Sequence, residues 1–139
     1  AKDLYNHVSS GILDKPTAFD MSWWFDSDSF APCGTSACIA GWAVTLNYGA
    51  ATPHEAEQQI NKEMRFASQV GRQALDLTNR QSELLFHEGN WPLKFRNPYR
   101  EAYGQSGDYF APKPQRLRAR KQMARIAADR ISHFIKTGK

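Results

Sequence analysis

The run Pro32-Cys33-Gly34-Thr35-Ser36-Ala37-Cys38-Ile39-Ala40-Gly41-Trp42-Ala43-Val44-Thr45-Leu46 constrains the fold of this chain more than any other stretch. It holds both cysteines and is too rich in small and apolar residues to lie on a wetted surface. Ile39, Trp42, Ala43 and Leu46 recur at spacings of three and four, which places them on one helical face. Ala37 and Ala40 flank that face and Val44 lies opposite, so the helix is apolar almost all round. Such a helix is buried by neighbours on several sides. Thr35 or Ser36 is the expected cap, because a short hydroxyl accepts from the free N–H groups of a first turn. Gly41 costs about 1 kcal/mol against alanine in mid-helix, a cost that close approach by another helix or ring would offset. Asn47 and Gly49 supply the stop.

The flanking chain reads as further helices around this one. Asp3 to Leu13 carries Leu4, Tyr5, Val8 and Ile12 on one stripe and ends at Asp14-Lys15-Pro16-Thr17. Ala18 to Phe25 is aromatic-rich and reads either as a short helix capped by Asp20 or as an extended segment laid over the core. Asp26-Ser27-Asp28-Ser29 resembles the start of a calcium loop but lacks a glutamate at the twelfth position, which excludes that reading. Thr52-Pro53-His54-Glu55 is a capping box with proline at the first helical position. The helix that this box starts has an unplaced end, with a break between Gln59 and Arg65, and Glu63 to Leu75 continues as helix, with Phe66, Ala67, Val70, Ala74 and Leu75 at helical spacing. Thr78-Asn79-Arg80-Gln81 is a second capping box, opening a short helix that ends near Gly89. Asn90 to Pro114, with Trp91-Pro92, Asn97-Pro98, Gly104, Gly107 and Pro112-Lys113-Pro114, reads as a long ordered loop with at most one helical turn around Tyr99 to Tyr103. Gln115 to Lys136 is the last helix, its inward stripe running Ala119, Met123, Ile126, Ala127, Arg130, Ile131, Phe134 and Ile135. No internal repeat and no convincing alternating strand is present. The expectation is an all-α compact bundle of about five helices around a central buried one, forming a single helical domain over 1–139.

Composition narrows the class further. At 139 residues with 41% hydrophobic and 12% aromatic content, the chain is long enough for one real core and too apolar for disorder. It has no apolar run of bilayer length, and the start Ala1-Lys2-Asp3-Leu4 shows no basic segment followed by an apolar one. The expected location is therefore cytoplasmic, with no membrane partner. Two cysteines are too few for a disulfide scaffold, and no second pair of ligands completes a zinc site around them. Neither a metal nor a cofactor is expected. The net charge of +4 and pI near 9.2 suit acidic partners weakly.

Four pieces together resemble a known family. They are Ala18-Phe19-Asp20-Met21 with Trp24; Cys33-Gly34-Thr35-Ser36-Ala37-Cys38-Ile39-Ala40-Gly41-Trp42-Ala43; Leu75-Asp76-Leu77-Thr78 leading to Leu85-Phe86 and Trp91-Pro92; and Arg130-Ile131-Ser132-His133-Phe134-Ile135. In this order they resemble the small uncharacterised proteins of bacteria and their phages that carry a Cys-Gly-Thr-x-x-Cys-x-Ala-Gly signature. The resemblance implies a domain type and a bacterial or phage setting, and it transfers no catalytic residue. The chain departs from that pattern at Asp76, where glycine is expected, and in the length of Lys94 to Lys113.

Three functional readings follow from the residues. In the first, a small accessory protein binds a protein partner. Its contact surface is the 91–110 loop, with Trp91, Phe95, Arg96, Tyr99, Arg100 and Tyr103, together with the basic face Arg118, Lys121 and Arg125 of the last helix. In the second, Cys33 or Cys38 at a helix start is a nucleophile with His54 or His87 as base, since a helix N-terminus lowers a thiol's pKa. In the third, the same basic residues and their interleaved rings bind nucleic acid through phosphates and stacking. The ring cluster Trp23, Trp24, Phe25 and Phe30 divides between core and partner anchor. The expected partner is a protein, with nucleic acid as the alternative.

Overall fold

The structure, a computed structural model, describes residues 2–21, 25–27 and 35–139. Its described residues form seven α-helices and one short ribbon: α1 (Lys2–Asp14), β1 (Phe25–Ser27), β2 (Thr35–Ala37), α2 (Ile39–Asn47), α3 (Pro53–Lys62), α4 (Ala67–Ala74), α5 (Asn79–Phe86), α6 (Leu93–Ser106) and α7 (Lys113–Thr137). Two 3-10 turns, Pro16–Ala18 and Glu88–Asn90, punctuate it. The chain is an all-α fold with a minor strand pair. β1 and β2 run antiparallel with Phe25 opposite Ala37, and Phe19 adds a parallel bridge to Ala37. Three-residue strands are too short to show alternation in the sequence, which is why the ribbon is invisible there.

α2 is the buried centre. Every residue from Ile39 to Thr45 is buried, and α1, α3 and α4 pack around it. Trp42 ties α2 to the turn after α1 by donating its indole N–H to the Ala18 carbonyl at 3.1 Å. The close approach comes from glycines on the partner helices. A Cβ on Gly71 of α4 would lie 3.0 Å from the Ala40 carbonyl oxygen, and one on Gly11 of α1 would lie 3.0 Å from the Trp42 ring. The helix starts later than Thr35 or Ser36 would set it. Those residues belong to β2, and Cys38 takes the cap position with extended backbone. Pairing with β1 overrides the local capping preference.

α1 and the Thr78 capping box form as the sequence indicates, while the Thr52 box closes on one side only. Thr52 accepts from the Glu55 N–H, while the Glu55 carboxylate reaches back to the Ala51 N–H at 3.1 Å. Thr78 and Gln81 make the reciprocal pair in full. The expected helix from Glu63 to Leu75 is broken at its start. α3 ends with Met64 at φ 55 and Arg65 N–H bonded back to Ile60. α4 ends the same way, with Asp76 at φ 54 and Leu77 N–H bonded to Arg72. Both are Schellman stops in the left-handed position that glycine favours, as Gly49 provides after α2. The break leaves Phe66, expected on the helical stripe, 74% exposed.

The largest correction concerns the expected loop from Asn90 to Pro114, most of which is the helix α6. Pro92 occupies its cap, where a missing N–H costs nothing, and Pro98 sits inside it. An interior proline removes one backbone bond and crowds the preceding turn. Tertiary burial overrides that cost: Tyr99, Ala102 and Ser106 are buried and α6 forms the most extensive helix pair of the fold with α7. α7 follows its expected course and stops at Gly138, φ 70.

Candidate functional site

The first sequence candidate is the sulfur at the head of α2. Cys38 is 1% exposed and its thiol is free. Burial pushes its pKa up to about 12, against the smaller opposing pull of the Gly41 and Ala40 N–H groups at the helix start, and Asp20 adds to the rise. A thiol nucleophile acts as thiolate, so the desolvation that dominates here makes Cys38 a packed apolar group. Cys33 lies outside the described residues, as do Trp23, Trp24 and Phe30; Phe25 is half-buried in β1. Of the candidate bases, His54 is exposed in the first turn of α3 and His87 is exposed at the end of α5.

His87 stands at the rim of a cleft of about 350 Å³ between the α5 end and α6. Met21, Phe86 and Tyr99 line its inner part, and His87, Glu88, Arg100 and Tyr103 stand around it. Arg100 Nε donates to Glu88 Oε2 at 3.1 Å, with Arg100 exposed and Glu88 partly buried. Tyr99 is held by the Met21 N–H, which donates to its hydroxyl at 2.9 Å. Burial, and then the Asp20 charge, raise its pKa well above 10.0, so the hydroxyl stays neutral. The structure thus brings together His87, Tyr99, Arg100 and Tyr103, four residues that the sequence assigned to two different functions.

The surface of residues 91–110 is smaller than expected. Trp91 is buried and donates its indole N–H to Leu85 at 2.9 Å. Tyr99 is also buried, its ring edge-on to Trp91 and Phe19. Both are core residues: Trp91 packs on Tyr99 and bonds α5 at Leu85, and Tyr99 reaches Phe19 and Met21. Phe95 is half-buried, and Arg96 donates to the Gly89 carbonyl at 2.9 Å. Tyr103 and Arg100 remain exposed.

Beyond α6 the chain turns through residues 107–112, and here two rings stand out. Tyr109 is 85% exposed and Phe110 is fully exposed. The Arg116 guanidinium lies 5.2 Å from the Tyr109 ring, and Arg116 also donates to the Ser106 carbonyl. A sequence signal for this tip existed: aromatics between Gly107-Asp108 and Pro112 cannot join either helix. The outward face of α7 follows. Arg118, Lys121, Gln122 and Arg125 line one shallow trough, as their helical spacing predicts. Among the described residues these three cations make no ion pair with a carboxylate.

Two other arginines of α7 point inward. Arg120 donates to the Thr17 and Phe19 carbonyls at 3.0 and 2.9 Å and lies 3.9 Å from Asp20, tying α7 to the segment after α1. Arg130, the odd member of the inward stripe, is 0% exposed. Burial lowers its pKa to about 10, so it stays charged. Its long side chain let a charge occupy a core position that the apolar pattern marked without explaining.

No protein-family model matches the chain, no curated protein matches it, and no solved structure matches it. No helix of the described residues is long and apolar enough to cross a membrane.

Proposed function

We propose that the protein is a binding module that docks an acidic protein partner at the α6–α7 turn, in the cytoplasm of a bacterial or phage-infected cell. Tyr109 and Phe110 are the anchors, and Arg118, Lys121 and Arg125 supply the charge complement. The observation that carries the reading is the complete exposure of Phe110 in the turn that leads into α7, whose outward cations Arg118, Lys121 and Arg125 make no ion pair among the described residues. A ring left in water gains most when a partner buries it, and aromatic anchors dominate the energetics of interfaces. Charges around them steer association and select a partner of opposite sign.

The test compares wild type, a Tyr109→Ser/Phe110→Ser variant and an Arg118→Glu/Lys121→Glu/Arg125→Glu variant in capture experiments across a salt series. The expected result is one acidic protein held by wild type and weakened at least about 10-fold by either variant. Retention by both variants would overturn the surface assignment. Duplex DNA or RNA bound by wild type with a steep salt slope, in place of a protein, would move the module to the nucleic-acid class.

A further inference from the structure

The cleft between the α5 end and α6 carries a pair of opposite charges over an apolar floor. Arg100 and Glu88 meet there through a single bond, Arg100 Nε to Glu88 Oε2 at 3.1 Å. Among the described residues, the Arg100 Nη groups and Glu88 Oε1 have no hydrogen-bond partner. A guanidinium donates from every nitrogen, and a carboxylate accepts at both oxygens. Each side chain therefore keeps an unused polar edge, one donating and one accepting. The Arg100 fork also reaches back over the turn that bears Glu88, since a Cβ on Gly89 would stand 3.8 Å from Arg100 Nη2.

The pair stands on a fixed support. The Glu88–Asn90 turn is pinned by Asn90 Nδ2, which donates to the Glu83 carbonyl at 3.0 Å, and by Arg96 Nη1, which donates to the Gly89 carbonyl at 2.9 Å. Arg100 leaves α6 one residue after the buried Tyr99. Below the pair lie Met21, Phe86 and Tyr99, all core residues. The volume of about 350 Å³ falls at the low end of the roughly 300–1,000 Å³ that ligand sites occupy, which suits a ligand of amino-acid size. Walls held in place before binding cut the ordering cost of a ligand.

We propose that this cleft binds a free α-amino acid with a large apolar side chain. The carboxylate takes the Arg100 Nη donors, the ammonium donates to Glu88 Oε1, and the side chain lies on Met21, Phe86 and Tyr99. The charge pair selects the class. A simple anion meets the Glu88 carboxylate and a simple cation meets the Arg100 guanidinium, whereas a zwitterion answers both. An α-amino acid holds its two charges on one carbon, a spacing that matches partners bonded to each other at 3.1 Å. The cleft shares no residue with Tyr109, Phe110 or the outward face of α7, so amino-acid binding and partner docking stand or fall separately.

The test is titration calorimetry of the wild-type protein with L-phenylalanine, L-leucine and glycine, and with two blocked ligands, phenylalanine amide and N-acetylphenylalanine. The expected result is binding of the two apolar amino acids, with affinity at least about 10-fold lower for glycine and for each blocked form. Arg100→Gln should erase the preference for phenylalanine over its amide, and Glu88→Gln the preference over the acetyl form, with the fold checked by circular dichroism. Should either variant lose the fold, the blocked ligands alone decide. N-acetylphenylalanine binding as tightly as phenylalanine assigns the cleft to a carboxylate, and equal binding of the amide assigns it to an amine; either overturns the zwitterion. No binding of phenylalanine or leucine, or unchanged preferences in both folded variants, overturns the site.

Discussion

Trp42 and Phe110 are both large rings, and they stand at opposite extremes of the molecule. Trp42 is 2% exposed, with its indole N–H bonded to Ala18 and its face against Gly11. Phe110 is fully exposed, in a turn between two helices. The difference lies in sequence context. Trp42 is in helical phase with Ile39, Ala43 and Leu46, so folding has a place for it. Phe110 follows Asp108, which accepts from the Phe110 N–H at 3.0 Å and fixes a tight turn. The part of the chain with the most unusual residues is given over to packing, and the part with ordinary basic and aromatic residues carries the available surface.

The comparison breaks first at α2. Trp42→Ala removes a buried ring and strands the Ala18 carbonyl, and is expected to cost about 4 kcal/mol, read from the urea midpoint. A loss below about 1 kcal/mol would mean that α2 is not the centre of the core.

The next effect is alkaline. The buried Cys38 thiol is raised from 9.0 to about 12, and the Tyr5 hydroxyl, by burial and then by Asp76, from 10.0 to about 12. Above the ordinary values the unfolded chain releases protons that the folded chain keeps. Stability is therefore full below about pH 9 and falls progressively as pH rises towards 12. Urea midpoints across that window should decline in wild type and decline less in Cys38→Ala. Equal slopes would show that Cys38 ionises freely and is open to solvent after all.

The smallest effect is at the exposed turn. Tyr109→Ser/Phe110→Ser should change stability by no more than about 0.5 kcal/mol. A larger loss in thermal unfolding would place these rings in the fold's own packing and remove the reason to call them anchors.

The contrast also explains what was legible in the sequence. Periodicity located α1, α2 and α7, and cap chemistry located the starts of α3 and α5, because those signals are local. α6 was hidden because two prolines and two glycines punctuate it, and only burial of Tyr99 and Ala102 against α7 makes it a helix. The break after α3 was expected between Gln59 and Arg65 but could not be placed, because methionine, not glycine, takes the left-handed stop at Met64. Of the site, the shared face of Arg118, Lys121 and Arg125 was legible from spacing alone. The burial of Trp91 and Tyr99 depends on contacts between elements that sequence spacing does not encode.

Met64 and Asp76 hold two helix stops in a backbone conformation that side chains disfavour, at φ 55 and 54. A residue with a Cβ gives up about 1 kcal/mol there relative to glycine. Met64 and Asp76 thus mark latent tolerance. Much of a destabilising change elsewhere in the chain can be recovered by one glycine at either corner, so the architecture holds stability in reserve.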